Sequence, residues 1–122
     1  MRAGRWLLPT IILFSAQPAA ATPMGTPELL SICEGGMKNP VPTNWAYAFC
    51  AGIAAGILQT DASQEHRICV PDNVDTKTAL QLFIDRAKSE QGKRSPGVAT
   101  FFQALVEKYP CKKADPPPPA RR

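Results

Sequence analysis

The stretch Trp45 to Leu58, WAYAFCAGIAAGIL, decides how the rest of the chain is read. It holds no charged residue, and its one strong hydrogen-bonding side chain is the Tyr47 hydroxyl. A helix that is apolar on all sides must be enclosed by other helices or by lipid. At 1.5 Å per residue the stretch spans roughly 21 Å, short of the ~30 Å hydrocarbon core of a bilayer. It therefore reads as the wrapped, central helix of a small domain. Gly52 and Gly56 lie four apart and share one face of that helix. Each costs roughly 0.8–1 kcal/mol against alanine inside a helix, so the pair predicts a close-packed neighbour where a Cβ would not fit.

On the N-terminal side, Met-Arg-Ala-Gly-Arg precedes a short apolar run from Trp6 to Ala16, and Ala19-Ala20-Ala21 follows. A basic start, a short apolar segment and an A-x-A site describe a secretory signal peptide, residues 1–21, cut after Ala21. The apolar run is too short to span a membrane, and Pro9 interrupts it. Removing 21 of the 122 residues leaves 101, enough for one domain. The same cut removes Arg2 and Arg5, so 14 Lys and Arg become 12 against 10 Asp and Glu, a net charge of +2. That is too mild to argue for a nucleic acid or a membrane surface as partner.

Four cysteines remain, Cys33, Cys50, Cys69 and Cys111. An even count in a small exported domain reads as two disulfides. Closely spaced CxxC or HxxxH ligand sets for zinc are absent, as is the CxxCH of haem attachment, so no metal or other cofactor is expected.

Further helices flank the central one. Thr26-Pro27-Glu28 has the order of a helix start, with threonine as cap, proline in the first turn and an acid beside it. That helix ends at Gly35-Gly36. Thr43 caps the central helix, which runs to about Thr60, and Asp61 to Arg67 is a polar connection. Asp75 caps a third helix, with Ala79, Leu80, Phe83, Ile84 and Ala87 at helical spacing. Ser95-Pro96 opens a fourth, in which Val98, Phe101, Phe102, Leu105, Val106 and Tyr109 make one apolar face. Pro110 ends it. No segment alternates with period two. The fold class is all-α, a four-helix domain over residues 22–113, followed by a proline-rich basic tail, residues 114–122.

Short connections predict antiparallel neighbours. The third and fourth helices then form a hairpin whose open end places Cys69 beside Cys111. This leaves Cys33 with Cys50, tying the first helix to the second. The crossed pairings, which need the first helix beside the end of the fourth, stay open. Loop-closure entropy assigns each bridge roughly 3–4 kcal/mol, out of about 5–15 kcal/mol for a whole domain.

Catalytic groups do not assemble in the sequence. His66 is the only histidine and sits in a polar connection. The cysteines are committed to bridges, the carboxylates are scattered, and no glycine-rich phosphate loop occurs. The chain reads as a binding protein rather than an enzyme.

Three motifs in order point to a family. Cys50-x-Gly52-x-x-x-Gly56 is followed by Cys69-Val70-Pro71 with Val74 beyond it, and then by Ala104-Leu105 running to Tyr109-Pro110-Cys111. This resembles the Rap/Tai family of immunity proteins, over about Leu29 to Cys111. Ile53, Thr78 and Tyr109 stand where the family pattern has an aromatic, a glutamine and a phenylalanine. The resemblance implies an all-α periplasmic protein, often a homodimer. Such proteins bind and inhibit peptidoglycan amidase effectors of type VI secretion by occluding their active sites. It also implies that a connecting loop meets the enzyme. Here that loop is Ser89 to Ser95, with Glu90, Lys93 and Arg94 as candidate contacts and Gly92 for a turn. The competing reading is a stand-alone periplasmic stress protein, such as a chaperone of the HdeA kind, which is also small, helical and disulfide-linked.

Overall fold

In a computed structural model, which describes residues 23–90 and 95–112, all four predicted helices form. They are α1 (Thr26–Met37), α2 (Trp45–Ser63), α3 (Thr76–Ser89) and α4 (Gly97–Lys108). Among the described residues there is no strand, only isolated bridges pairing Gly25 with Pro96 and Ile68 with Pro110. The fold class is all-α, as expected. The signal-peptide segment, the center of the 89–95 loop and the proline-rich tail lie outside the described residues.

The core forms where the helix faces meet. Leu29 and Cys33 of α1, Cys50 of α2, Leu80 and Phe83 of α3, and Phe101 and Leu105 of α4 are all 1% exposed or less. The Phe83 and Phe101 rings stack with centroids 4.8 Å apart. Parallel offset stacking adds to the area that both rings already bury. Both disulfides have the expected pairing, Cys33–Cys50 and Cys69–Cys111. Their sequence separations of 17 and 42 residues correspond to about 3 and about 4 kcal/mol of lost unfolded-state entropy.

The enclosed central helix is corrected by the structure. Helix α2 buries only Ala46, Cys50, Ala54, Ile57 and Asp61. Its other side, with Trp45, Ala48, Phe49, Gly52, Ala55 and Gly56, faces outward. Trp45 is 69% exposed and Phe49 40%. A Cβ added to Gly52 or to Gly56 would meet nothing within 4 Å, so neither glycine makes a close approach inside the protomer. The glycine that does is Gly36. A Cβ there would lie 2.7 Å from Tyr47 N and 2.8 Å from Tyr47 Cα. Helix α1 therefore runs through Gly35-Gly36 instead of stopping there, and Gly36 lets it touch the backbone of α2 one turn beyond the Cys33–Cys50 bridge.

Caps also shift. Asp75 caps α3 as expected, its carboxylate accepting from the Thr78 N–H at 2.9 Å. Asn44, not Thr43, caps α2: its Oδ1 accepts from Ala46 N–H while its Nδ2 donates to Asn39 O at 2.9 Å, which pins the 38–44 turn. Thr26 and Ser95 do not cap their helices. The Thr26 N–H donates to Ser95 O at 3.1 Å, the Gly97 N–H donates to Met24 O at 2.8 Å, and the Thr26 hydroxyl pairs with that of Thr100. The two proline-opened helix starts thus satisfy each other's backbone, as buried polar groups must. On α4 the buried line is Gly97, Thr100, Phe101, Ala104 and Leu105, which leaves Val98 50% exposed.

Candidate partner interface

Three surface features are built by this packing. The first is the base of the expected binding loop. Glu90 ends α3 half-buried, its Oε1 accepting from Arg86 Nε at 2.8 Å. Arg86 also forms an ion pair with Glu107 on α4 through Nη1. The hydrogen bonds to Glu107 and Glu90, in that order, hold the Arg86 guanidinium above its ordinary pKa. Glu90 is thus paired with Arg86, which also ties α3 to α4. Lys93 and Arg94 lie outside the described residues.

The second feature is the outward side of α2. The Trp45 and Phe49 rings meet edge to face, with centroids 6.4 Å apart. Beyond them the side is bare backbone and methyl groups, because Gly52, Ala55 and Gly56 offer nothing larger. No charge lies on it between Trp45 and Thr60.

The third is a groove of about 680 Å3 between α2 and α4. Ile53, Gly56 and Ile57 form one wall and Val98, Ala99 and Phe102 the other. Two small residues, Gly56 and Ala99, keep the helices from filling the space between them. The segment after α2 adds Glu65 and Arg67 to the lining, and the Arg67 guanidinium lies 5.3 Å from the center of the Phe102 ring. Glu65 and Arg67 form an exposed ion pair at 3.5 Å, worth little by itself.

What fixes that segment is Asp61, which the sequence reading placed in a polar connection. It belongs to the last full turn of α2 and is 4% exposed. Its Oδ1 accepts from Arg67 N–H at 2.9 Å and its Oδ2 from Ile68 N–H at 2.8 Å, while its carbonyl takes the His66 N–H at 2.7 Å. A buried carboxylate with two backbone donors is satisfied and organises the turn around it. The local sequence gives no sign of this, since the donors lie six and seven residues downstream and are main-chain groups.

His66 adopts φ 49, the one left-handed non-glycine residue among those described. Its Nε2 lies 3.6 Å from Cys69 Sγ and 3.8 Å from Cys111 Sγ. Those three residues are the one set of possible metal-ligand atoms gathered together among the described residues, and both of its sulfurs are already joined in a bridge. No helix there is long and apolar enough to cross a membrane.

No curated protein and no solved structure matches the chain significantly. A family model does: that of the Rap1a immunity proteins, over residues 26–111. The match begins at the first residue of α1 and ends at the last cysteine, so it takes in all four helices and both disulfides. By that match, and in agreement with the three motifs of its sequence, the chain belongs to the Rap1a immunity protein family.

Proposed function

We propose that the protein is a periplasmic immunity protein that binds a peptidoglycan amidase effector of type VI secretion and inhibits it by occluding its active site. The observation that carries this reading is the family match across the whole helical domain. It needs no cofactor and no catalysis by this chain. The clasp of Arg86 with Glu90 and Glu107 supports the part of the reading that concerns the 89–95 loop. It fixes the residue from which that loop departs at the α3 end, and a group already held in place loses less freedom on binding.

The protein acts as a homodimer in this reading, with the outward side of α2 as the seam. A two-fold contact places a surface against itself, so any charge near the axis meets its own copy. Helix α2 is free of that penalty from Trp45 to Thr60. The bare stripe at Gly52 and Gly56 admits a second helix closely, which gives the two glycines the packing role they lack inside one protomer.

The test is a titration of the mature chain with the small amidase encoded beside its gene, followed by hydrolysis of peptidoglycan peptides. Stoichiometric binding with loss of hydrolysis is expected. No binding, together with no protection of cells when the enzyme is directed to their periplasm, refutes the reading. Suppression of client aggregation at low pH without amidase affinity would favour the chaperone alternative.

A further inference from the structure

The two disulfides stand in different surroundings. Cys33 and Cys50 are both fully buried between α1 and α2. Cys69 and Cys111 are half-buried, at the junction of the 64–75 segment with the end of α4, and an imidazole nitrogen faces both sulfurs. We infer that Cys69–Cys111 is a thiol–disulfide exchange site for a dithiol reductant, with His66 Nε2–H as the donor to the departing sulfur.

The tautomer follows from the burial of the ring. His66 Nδ1 is buried and has no hydrogen-bond partner. A buried N–H without an acceptor is costly, so the proton of the neutral ring belongs on Nε2, which points at the sulfurs. The ring cannot swing away easily. Its backbone is held in the left-handed region by the His66 N–H to Asp61 O bond, and the following two amides are held by the Asp61 carboxylate. A left-handed backbone at a residue other than glycine persists only where the surroundings enforce it.

In the exchange, one thiol of the reductant loses its proton to solvent and its thiolate attacks Cys111 Sγ. The Cys69–Cys111 bond breaks and its electron pair leaves on Cys69 Sγ, the sulfur nearer to Nε2. There it accepts the Nε2–H hydrogen bond and then a proton from water. The second thiol of the reductant, deprotonated in turn, attacks the mixed disulfide and releases Cys111 as a thiolate, which is protonated by solvent. Two electrons and two protons pass from the dithiol to the protein, and the reductant leaves as a disulfide. Stabilising the leaving thiolate speeds this exchange, and access to the attacked sulfur permits it. Both conditions hold at Cys69–Cys111. The buried Cys33–Cys50 pair lacks the access.

Opening this bridge leaves the four-helix core and Cys33–Cys50 in place. It removes the covalent tie between the end of α4 and the segment that carries Glu65 and Arg67 on the lining of the α2/α4 groove, leaving that segment held by Asp61 and by backbone hydrogen bonds alone, so the redox state sets how firmly the lining is held. The inference does not depend on the identity of any partner.

The oxidised full-length mature chain is treated with dithiothreitol, quenched with a maleimide at intervals, and mapped by peptide mass. Cys69–Cys111 is expected to open at least about tenfold faster than Cys33–Cys50 with helical circular dichroism retained, and His66→Asn is expected to slow that opening about threefold or more. Asparagine tolerates the left-handed backbone but is too short to reach the sulfurs, and His66→Gln, with a longer donor arm, should recover part of the rate. The inference is overturned if both bridges open together as helix is lost, or if His66→Asn and His66→Gln both open at the wild-type rate. Should His66→Asn fail to fold, the wild-type comparison of the two bridges and the rate of His66→Gln decide the matter on the same terms.

Discussion

Alanine substitution at three glycines separates a glycine required by packing from glycines that are not. At Gly36 the new Cβ would meet Tyr47 N at 2.7 Å, Tyr47 Cα at 2.8 Å and Ala46 C at 2.9 Å. All three are main-chain atoms of α2 and cannot rotate aside. The Cys33–Cys50 bridge one turn away prevents α1 and α2 from separating at low cost. Overpacking of this kind costs about 1–3 kcal/mol, and contact with tethered backbone places it near the upper end. Against this stands about 0.8–1 kcal/mol from the better helix propensity of alanine. Gly36→Ala is therefore destabilising by about 2 kcal/mol, and for a domain of this size that lowers Tm by about 8–16 °C. At Gly52 and Gly56 the Cβ meets nothing, so Gly52→Ala and Gly56→Ala each raise stability by about 0.8–1 kcal/mol and Tm by several degrees. Thermal and urea unfolding of the oxidised protein, at concentrations dilute enough to hold it as a monomer, measures all three. A Gly36→Ala protein that melts at or above wild type would refute the close α1–α2 contact. Loss of stability in the dilute Gly52→Ala protein would show that α2 is enclosed after all.

If α2 is the dimer seam, as proposed, Phe49→Glu should abolish self-association at higher concentration, because a carboxylate on that side would meet its own copy across the two-fold axis. Sedimentation velocity reads this, and a variant that stays dimeric removes α2 from the seam. Asp61→Ala leaves the buried Ile68 amide and the partly buried Arg67 amide without an acceptor, for a loss of about 2–3 kcal/mol. Hydrogen exchange at those two amides should accelerate well beyond that in the core of α3, and unchanged protection would refute the role given to Asp61. The Thr78 hydroxyl, and then the Thr78 N–H, hold the Asp75 carboxyl below its ordinary pKa. Its stabilising contribution is thus complete above the ordinary carboxylate range and lost as pH falls through the lowered folded value. Thr78→Val should raise the Asp75 titration midpoint by NMR and shrink that acid-side loss, whereas an unmoved midpoint would refute the hydroxyl as the main cause.

Helix count, helix order and disulfide pairing were legible in the sequence because each rests on a local pattern or on topology that follows from short connections. Asp75 was legible for the same reason, since a cap and its amide lie three residues apart. Thr26 and Ser95 looked like caps by the same local rule. Their polar groups are instead engaged across the fold, Thr26 with Ser95 and Thr100. A threonine before a proline has the same sequence whether its hydroxyl turns back on its own helix or toward another. Asp61 shows the reverse error. Its position at the end of an apolar run suggested a solvated turn, but the main-chain donors of the turn itself bury it.

The glycines carry the most consequence for the binding surface. Helix propensity says that a glycine inside a helix is costly, and it does not say which neighbour justifies the cost. Gly52 and Gly56 suggested a neighbour inside the domain, and that neighbour belongs to Gly36. Four short helices cannot enclose a fifth surface as well as their own core, so an α2 that is apolar on every side has more apolar face than this domain can cover. Burying an aromatic side chain fully is worth roughly 1.5–3 kcal/mol, and a protomer alone leaves Trp45 69% and Phe49 40% exposed. Inward-facing residues of α2 secure the fold through Cys50 and Ile57, while outward-facing ones are left uncovered by the protomer. The charge-free sequence that looked like a helix sealed within one domain is a helix that gives one side to the core and, in the proposed dimer, the other to a second copy.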